Sequence, residues 1–334
     1  GLSNAQQTET IDFISVTAQI EPIASEKKVI GTASYTFNVL KSTDSIYLDA
    51  KAMRVSNVFP KSLTITQEED KIWLIDAFEA NRAYTISFSF EATPKQTLYF
   101  FENQIWTQGQ GKYTSHWLPS IDDMNDKMEF DITVVVPSEK TVIANGKLLS
   151  NERNGNKNHF KFDMQAPMAS YLVAFVVGDF AKKTIYSNTA IPLELYYERK
   201  DSLKVEPTYR YTKEIFDFLE SEIGVAYPWQ NYKQVPVRDF LYSGMENTTA
   251  TFFSEAFVSD SIGFADRNYV TVNAHELAHQ WFGNLVTETE GTHHWLHEGF
   301  ATYYALLAEK ELFGAEYYYW KLFQSAEQLK ALSD

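Results

Sequence analysis

The sequence predicts a multidomain chain of α and β structure, in which an N-terminal antiparallel β domain of sandwich or saddle type precedes an α+β domain. Apolar and polar residues alternate with a period of two over roughly the first 180 residues, which is typical of half-buried strands. After about residue 200 the apolar spacing becomes helical. The 334 residues, 44% of them hydrophobic, are enough to bury two cores. We place the boundary between residues 185 and 186, which gives predicted domains 1–185 and 186–334.

The β domain is predicted from its strand-like runs. Residues 33–39 and 85–90 alternate apolar side chains with serine, threonine and asparagine. This alternation predicts antiparallel strands with one buried face. Further strands are predicted at residues 11–20, 45–50, 72–76, 130–136 and 171–178, and a turn-rich stretch at 151–158.

The second domain is predicted to combine a small sheet with several helices. Residues 211–223 follow helical spacing, and Gly224 ends that run. The other predicted elements are strands at 234–240 and 250–253, a helix that carries residues 275–279, and helices near 294–313 and 315–332. The domain is therefore predicted to be α+β, with one helix directly after the sheet.

Composition excludes several classes of protein. The net charge of −15 disfavours a nucleic acid partner and favours cationic ligands. The absence of cysteine excludes disulfides and thiolate metal sites. The sequence contains no apolar run long enough to span a membrane, and residues 1–10 are too polar for a signal peptide. A soluble protein is predicted, either cytoplasmic or exported after removal of a signal, and its oligomeric state is left open.

The most informative stretch covers residues 271–301. His275 and His279 lie four residues apart in one helical run, so both imidazoles lie on one helix face and can bind one metal ion. The order His-Glu-x-x-His is typical of zinc hydrolases, in which the glutamate, here Glu276, is the general base for a metal-activated water. A third protein ligand is required, and Glu298, at the start of the next helix, is the leading candidate. The sequence thus predicts one zinc ion.

Two alternatives concern this motif. His-Glu-x-x-His arises by accident in on the order of one chain in a hundred of this size, so a structural cluster of polar residues is the alternative to a metal site. The nearby His293, His294 and His297 suggest a second metal site, but a solvated histidine cluster near a helix start is the preferred interpretation.

The joint pattern of motifs resembles the aminopeptidase N family of zinc metallopeptidases, which includes the leukotriene hydrolases. In that family His-Glu-x-x-His is followed after eighteen residues by glutamate and is preceded by a Gly-x-Met-Glu-Asn exopeptidase motif. Here eighteen residues separate His279 from Glu298, and Gly244-Met245-Glu246-Asn247 stands upstream. The resemblance covers nearly the whole chain. It implies that the second domain is a thermolysin-like α+β catalytic domain.

The resemblance also implies roles for residues outside the metal motif. Glu246 would bind the free α-amino group of a peptide, so that only the first peptide bond is hydrolysed. Gly244 and Met245 would present main chain close to the substrate, and Gln110 of the β domain would bind near the same amine. The implied substrates are peptides with a free N-terminus, and the implied activity is that of a zinc-dependent aminopeptidase.

The chain departs from the family pattern in three places. Ser243 replaces the first glycine of the exopeptidase motif, and His297 stands where the family usually has asparagine. The family's tyrosine that binds the oxyanion, and its helical C-terminal domain, would both lie beyond residue 334. The catalytic domain is therefore expected to be truncated at its C-terminal end, with reduced or no activity by itself.

Two other functions remain open from the sequence. A thermolysin-like endopeptidase shares the zinc ligands, although the motif around Glu246 disfavours it. A non-catalytic peptide-binding module with a structural zinc is the second alternative, and it leaves the presence of Glu276 unexplained because a structural site needs no general base.

Overall fold

The computed structural model describes residues 7–68 and 70–333, so residues 1–6, Glu69 and Asp334 lie outside the described part. Contacts divide the chain into two compact units. The first contains the residues up to Asp179 together with Thr289–Gly291, and the second contains Phe180–Glu288 and the residues from Thr292 onward. The boundary predicted between residues 185 and 186 falls within the first strand of the second unit.

The first unit is rich in β structure, as predicted. Its described strands are β1 (Ile11–Ile23), β2 (Lys28–Val39), β3 (Thr43–Asp49), β4 (Met53–Phe59), β5 (Thr64–Gln67), β6 (Lys71–Phe78), β7 (Arg82–Ala92), β8 (Leu98–Phe100), β9 (Ile105–Thr107), β10 (Lys127–Pro137), β11 (Thr141–Ala144), β12 (Lys147–Asn154), β13 (Lys157–Asp163), β14 (Met168–Ala169) and β15 (Phe175–Gly178). The largest sheet has the order β12-β13-β10-β1-β2-β7-β4, with β14 also paired to β10. Two smaller sheets have the orders β11-β15-β9-β8 and β3-β6-β5.

The alternating residues bury an aromatic core. Along β1 and β2 the inward side chains include Phe13, Tyr35 and Phe37, all of them buried. The ring of Phe13 lies 5.3 Å from that of Phe37, and Tyr35 stacks on Phe88 of β7 at 5.9 Å. Such ring pairs add about 0.5–1.5 kcal/mol each beyond the apolar area that they bury. The period-two pattern therefore predicts both the strands and their buried face.

The structure differs in detail from three local predictions for this unit. The sheet is not wholly antiparallel, because β1 and β10 pair in parallel. The strand predicted at 171–178 begins only at Phe175, since Ser170–Leu172 form a 3-10 turn. The turn-rich stretch at 151–158 belongs to the hairpin of β12 and β13, whose turn contains Gly155 at a φ of +63°.

The second unit contains one mixed sheet and the main helices. Its described strands are β16 (Phe180–Tyr186), β17 (Pro192–Glu198), β18 (Tyr232–Val237), β19 (Gly244–Met245) and β20 (Ala250–Ser254), in the order β16-β17-β18-β20-β19. Its described α-helices are α1 (Val205–Tyr209), α2 (Thr212–Ile223), α3 (Val270–Ala278), α4 (Trp295–Phe313) and α5 (Ala315–Ser333). None of the helices in residues 7–68 and 70–333 is long and apolar enough to cross a membrane.

Helix α3 is held by an apolar contact with the sheet and a polar contact with α2. The ring of Tyr269, directly before the helix, stacks on Phe253 of β20 at 3.8 Å, within a buried cluster that includes Leu195 of β17. One turn further along, the Asn273 amide donates a hydrogen bond of 2.9 Å to the Thr212 hydroxyl of α2. Because these contacts are buried, the direction of α3 is fixed before any ligand is considered.

Asp126 of the first unit gives the fold a predicted pH dependence. Its carboxyl group is only 4% exposed, and burial raises its pKa to about 7, with smaller contributions from the charges of Asp12 and Asp123. In the unfolded chain the pKa is about 3.9. The proton is therefore bound more tightly in the folded state, so the stabilisation is complete below about pH 4 and is lost as the pH rises through 7.

We expect Asp126→Asn to raise the free energy of unfolding at pH 8 by on the order of 1–3 kcal/mol, because no buried carboxylate must then be formed. The measurement is urea unfolding at pH 5 and pH 8. The exposed Asp44 offers a control, since Asp44→Asn removes the same charge at a position that is not buried. A gain of stability for Asp126→Asn that is equal at both pH values would contradict this explanation.

Candidate metal centre

Three side chains from α3 and α4 converge on one point of the second unit. His275 lies in the last turn of α3, and His279 follows the helix directly with helical main-chain angles. Their Nε2 atoms are 3.0 Å apart. Glu298, in the first turn of α4, places one carboxylate oxygen 3.2 Å from Nε2 of His275 and the other 3.8 Å from Nε2 of His279. The three predicted ligands therefore lie together, and we call the Nε2 atoms of the two histidines and the carboxylate of Glu298 the triangle of donor atoms.

The size of this triangle fits a single zinc ion. Nitrogen and oxygen ligands lie about 2.0–2.1 Å from zinc, so two corners of a tetrahedral site are about 3.3 Å apart. The three donor distances, 3.0, 3.2 and 3.8 Å, bracket that value. The donor set also suits zinc, because two imidazoles and a carboxylate leave the fourth position open.

The imidazole of His279 is oriented by main chain on its far side. Its Nδ1 atom lies 3.0 Å from the carbonyl oxygen of Phe282, to which it donates a hydrogen bond, so the Nε2 lone pair is left for a metal. The chain reaches this position through Gly283, whose φ of +131° is rarely adopted by a residue with a side chain. A Cβ at Gly283 would also lie only 3.4 Å from Nδ1 of His279.

The charge states of the triangle also suit a cation. Burial, followed by the neighbouring His275, lowers the pKa of His279 to about 3, so this imidazole is neutral over the physiological range. The hydrogen bond with His275, followed by that with His294, holds the pKa of Glu298 well below its usual value. A neutral imidazole and an ionised carboxylate are the forms that bind metal.

The ring contacts between α4 and the segment that follows α3 hold the triangle together at one end. Phe282 stacks on Phe300 and on Tyr304, each at 4.9 Å. At the opposite end, the Thr271 hydroxyl donates a hydrogen bond of 2.6 Å to the buried carboxylate of Glu309. The two helices are thus joined on both sides of the donor atoms.

Glu276 lies beside the triangle, where a general base is needed. Its side chain is buried, and burial, followed by the charge of Glu246, raises its pKa well above the usual value. Its carboxylate occupies the space that a Cβ on Gly244 would take. The glycine of the upstream motif therefore gives room to Glu276, a reason that the resemblance alone did not supply.

Glu246 carries a second buried carboxylate into the same site. Its side chain is 2% exposed, and its donor oxygen, that of Glu276 and a ring nitrogen of His279 all lie within 4.8 Å of one another. Its Oε1 atom has no hydrogen-bond partner among the described residues. Burial raises the pKa of Glu246. A buried carboxylate with an unused oxygen is a site for a cationic donor.

The structure gives less direct support to the substrate-binding roles predicted for Met245 and Gln110. The Met245 side chain is 1% exposed, so only its main chain is available to a ligand. Gln110 belongs to the first unit, where its main-chain N–H donates a hydrogen bond of 3.2 Å to the Gln108 side chain. The roles proposed for both residues remain predictions.

The prediction of a solvated histidine cluster was wrong for His297. This side chain is only 3% exposed, because α4 turns it toward the loop after α3, where its Nε2 atom accepts a hydrogen bond of 2.8 Å from the Glu288 main-chain N–H. His294 donates from Nδ1 to the Glu288 carboxylate at 3.1 Å, and its Nε2 lies 3.4 Å from Glu298. The hydrogen bond to Glu288, followed by that to Glu298, raises the pKa of His294 to about 10. His294 therefore links Glu288 to Glu298, one of the three corners of the triangle.

The sequence analysis missed Gln280 and Asn284, which hydrogen-bond to the main chain of Glu246. Both are completely buried. The sequence contained a signal for both residues, because they are polar and four residues apart. Gln280 directly precedes the otherwise apolar run from Trp281 to Val286, and Asn284 interrupts it. Glu288 was also missed, and its spacing from the histidines follows no regular period.

Comparison with protein families assigns both parts of the chain. Residues 13–172 match the peptidase M1 N-terminal domain, and residues 208–334 match the peptidase family M1 domain. The two matched ranges together cover most of the chain. They also agree with the order of a β-rich unit followed by the unit that carries the candidate metal centre.

Curated relatives of the chain are aminopeptidases by name. Leucine aminopeptidase 2 of Yarrowia lipolytica is 29% identical over 313 residues, which is 87% of this chain and 45% of the relative. Glutamyl aminopeptidase of Rattus norvegicus is 26% identical over 91% of this chain and 36% of the relative. Aminopeptidase N of Canis lupus familiaris is 28% identical over 86% and 33%. The chain thus spans less than half the length of each of these relatives.

Proposed function

Since the chain belongs to the aminopeptidase N family of metallopeptidases, peptidase family M1, we propose that the protein carrying it is a zinc-dependent aminopeptidase that removes the N-terminal residue of peptides. His275, His279 and Glu298 would hold one zinc ion. Glu276 would be the general base, and Glu246 would bind the free α-amino group.

The observation that carries this proposal is the buried carboxylate of Glu246 beside the donor triangle. A metallopeptidase needs only the metal ligands and a base, so a second buried carboxylate requires another explanation. The Oε1 atom of Glu246, without a partner in the described part of the chain, supplies a charge-assisted acceptor for an ammonium group. The short distances to Glu276 and His279 would place that ammonium group next to the peptide bond to be cleaved.

The residues divide the reaction between them. Zinc, when bound, supplies a Lewis acid that polarises the scissile carbonyl and lowers the pKa of water. The Glu276 carboxylate accepts the proton of the attacking water and later passes a proton to the leaving amine. The Glu246 carboxylate holds the substrate ammonium and so sets the distance from the N-terminus to the bond that is cleaved. This geometry restricts hydrolysis to the first peptide bond.

The test is hydrolysis of aminoacyl amides that carry either a free or an acetylated amine, with zinc measured on the same samples. We expect cleavage of the free-amine substrates only. In Glu246→Gln we expect kcat/KM for these substrates to fall by roughly 30-fold or more, because removing one partner of a buried charge pair costs about 2 kcal/mol or more. Zinc content is expected to stay at one ion per chain.

The outcomes separate this proposal from its alternatives. Equal cleavage of free and acetylated substrates would indicate an endopeptidase and would contradict the role of Glu246. Stoichiometric zinc without cleavage of any substrate, both by this chain and by a longer chain that includes it, would contradict the enzymatic proposal and leave a binding module. Glu290→Gln serves as the matched control, because it makes the same chemical change at an exposed carboxylate.

A further inference from the structure

The main chain at Glu246 is held by two side-chain amides from the segment that follows α3. The carbonyl oxygen of Glu246 accepts a hydrogen bond of 3.1 Å from Nε2 of Gln280 and another of 2.7 Å from Nδ2 of Asn284. Both amides are fully buried. The carbonyl oxygen has two lone pairs, so these two donors use its full capacity.

Gln280 also binds the loop at a second point. Its Oε1 atom accepts a hydrogen bond of 2.9 Å from the main-chain N–H of Thr249. One side-chain amide therefore pairs with both an acceptor and a donor of the loop 246–249, as a neighbouring strand would do. Thr249 has a φ of +64°, which is uncommon for a β-branched residue and needs support from surrounding contacts.

The two amides are fixed to the candidate metal ligand itself. Gln280 is the residue after His279, and its carbonyl oxygen accepts a hydrogen bond of 3.1 Å from the Trp229 indole. Asn284 donates its main-chain N–H to the carbonyl oxygen of His279 at 3.0 Å. A shift of the segment after α3 would therefore move the Glu246 main chain and His279 together.

We propose that Gln280 and Asn284 are positioning residues that clamp the main chain of Glu246 to the segment carrying His279, and so fix the distance between the amine-binding carboxylate and the metal centre. This inference rests on the proposed function. The hydrogen bonds of the clamp would restrict cleavage to substrates that carry a free amine. The clamp touches no substrate, so its effect must pass through Glu246.

The test uses changes of nearly equal size that remove the amide donors without adding a charge. Gln280→Met and Asn284→Leu carry no side-chain N–H group, so neither can donate a hydrogen bond to the Glu246 oxygen. For free-amine substrates we expect kcat/KM to fall by about 3-fold to 10-fold in each single variant, mainly through KM, as expected for one lost hydrogen bond. The double variant is expected to lose about 100-fold or more, since no side-chain donor then remains to hold the oxygen.

A second readout separates positioning from general destabilisation. The ratio of free-amine to acetylated cleavage should fall in the double variant while zinc remains at one ion per chain. Gln234→Met is the matched control, because Gln234 is equally buried but donates at 2.7 Å to Asn273 instead of the loop. It is expected to lower the unfolding temperature without a change in the free-amine ratio.

The clamp is disproved if the double variant retains the KM and the free-amine ratio of the parent while Glu246→Gln loses both. Loss of zinc in the double variant, or an equal fall for both substrate types, would also overturn it, because the amides would then serve only the general structure. If Glu246→Gln itself leaves the free-amine ratio unchanged, the proposed function fails, and that result does not depend on the clamp.

Discussion

Replacing Glu276 by glutamine is expected to lower kcat by about 10²-fold to 10⁴-fold, the range that a positioned general base contributes. The amide has nearly the shape of the carboxylate, so it fills the same buried position beside Gly244. It cannot accept a proton from water. KM for free-amine substrates should change little, because the carboxylate of Glu246 is untouched. The measurement is steady-state hydrolysis of an aminoacyl amide with zinc determined on the same sample.

The control for this prediction is the metal itself. Zinc should remain at one ion per chain in Glu276→Gln, since Glu276 is not among the three proposed ligands. A loss of zinc would assign Glu276 to the ligand set and contradict its role as base. Activity within tenfold of the parent at full zinc occupancy would show that another group takes the proton.

Replacing His279 by alanine is expected to abolish stoichiometric zinc binding and to lower activity by on the order of 10³-fold or more, because the metal contributes several kcal/mol to the transition state. His279 is the most deeply buried ligand, with a side chain 1% exposed, so no water can easily take its place. The measurement is zinc per chain after dialysis, together with hydrolysis of a free-amine substrate. Treatment of the parent protein with a chelator should reproduce the loss, and added zinc should reverse it.

His293 offers the matched control for His279. It lies in the same part of the sequence and is exposed, and it belongs to none of the clusters able to hold a metal in the described residues. His293→Ala should therefore retain zinc and activity. Full zinc binding and activity in His279→Ala would refute the proposed ligand set.

The sequence predicted the elements that have a regular period. Helix α2 and its end at Gly224 were predicted because apolar residues recur at helical spacing up to a glycine, and in the structure Gly224 adopts a left-handed φ of +71°. The positions of helices α4 and α5 were also predicted nearly in full. The parallel pairing of β1 with β10 was not predicted, because alternation fixes which face of a strand is buried but not which strand lies beside it.

The residues of the candidate site also divide into those that the sequence predicted and those that it did not. His275, Glu276 and His279 were predicted because their spacing places them together on one helix. Glu298 was predicted because a third ligand is required and this carboxylate stands at the start of the next helix, and the family spacing agrees with it. The contacts of Gln280 with Glu246 and of Glu288 with His297 join residues that are far apart or irregularly spaced in the chain. Such contacts depend on how loops fold back onto a helix, and no local period encodes that.

The two contacts that join α4 to α3 and to the segment after α3 have a consequence for metal exchange. The Phe282 and Phe300 rings stack at one end, and Thr271 binds Glu309 at the other, and neither contact involves a donor atom of the triangle. The donors are thus preorganised, and an arriving ion need not offset the conformational entropy of bringing two helices together. If these residues hold zinc as proposed, we expect the metal to enter a preformed site without coupled folding, and we expect its exchange rate to depend on access at Glu298, whose side chain is 43% exposed.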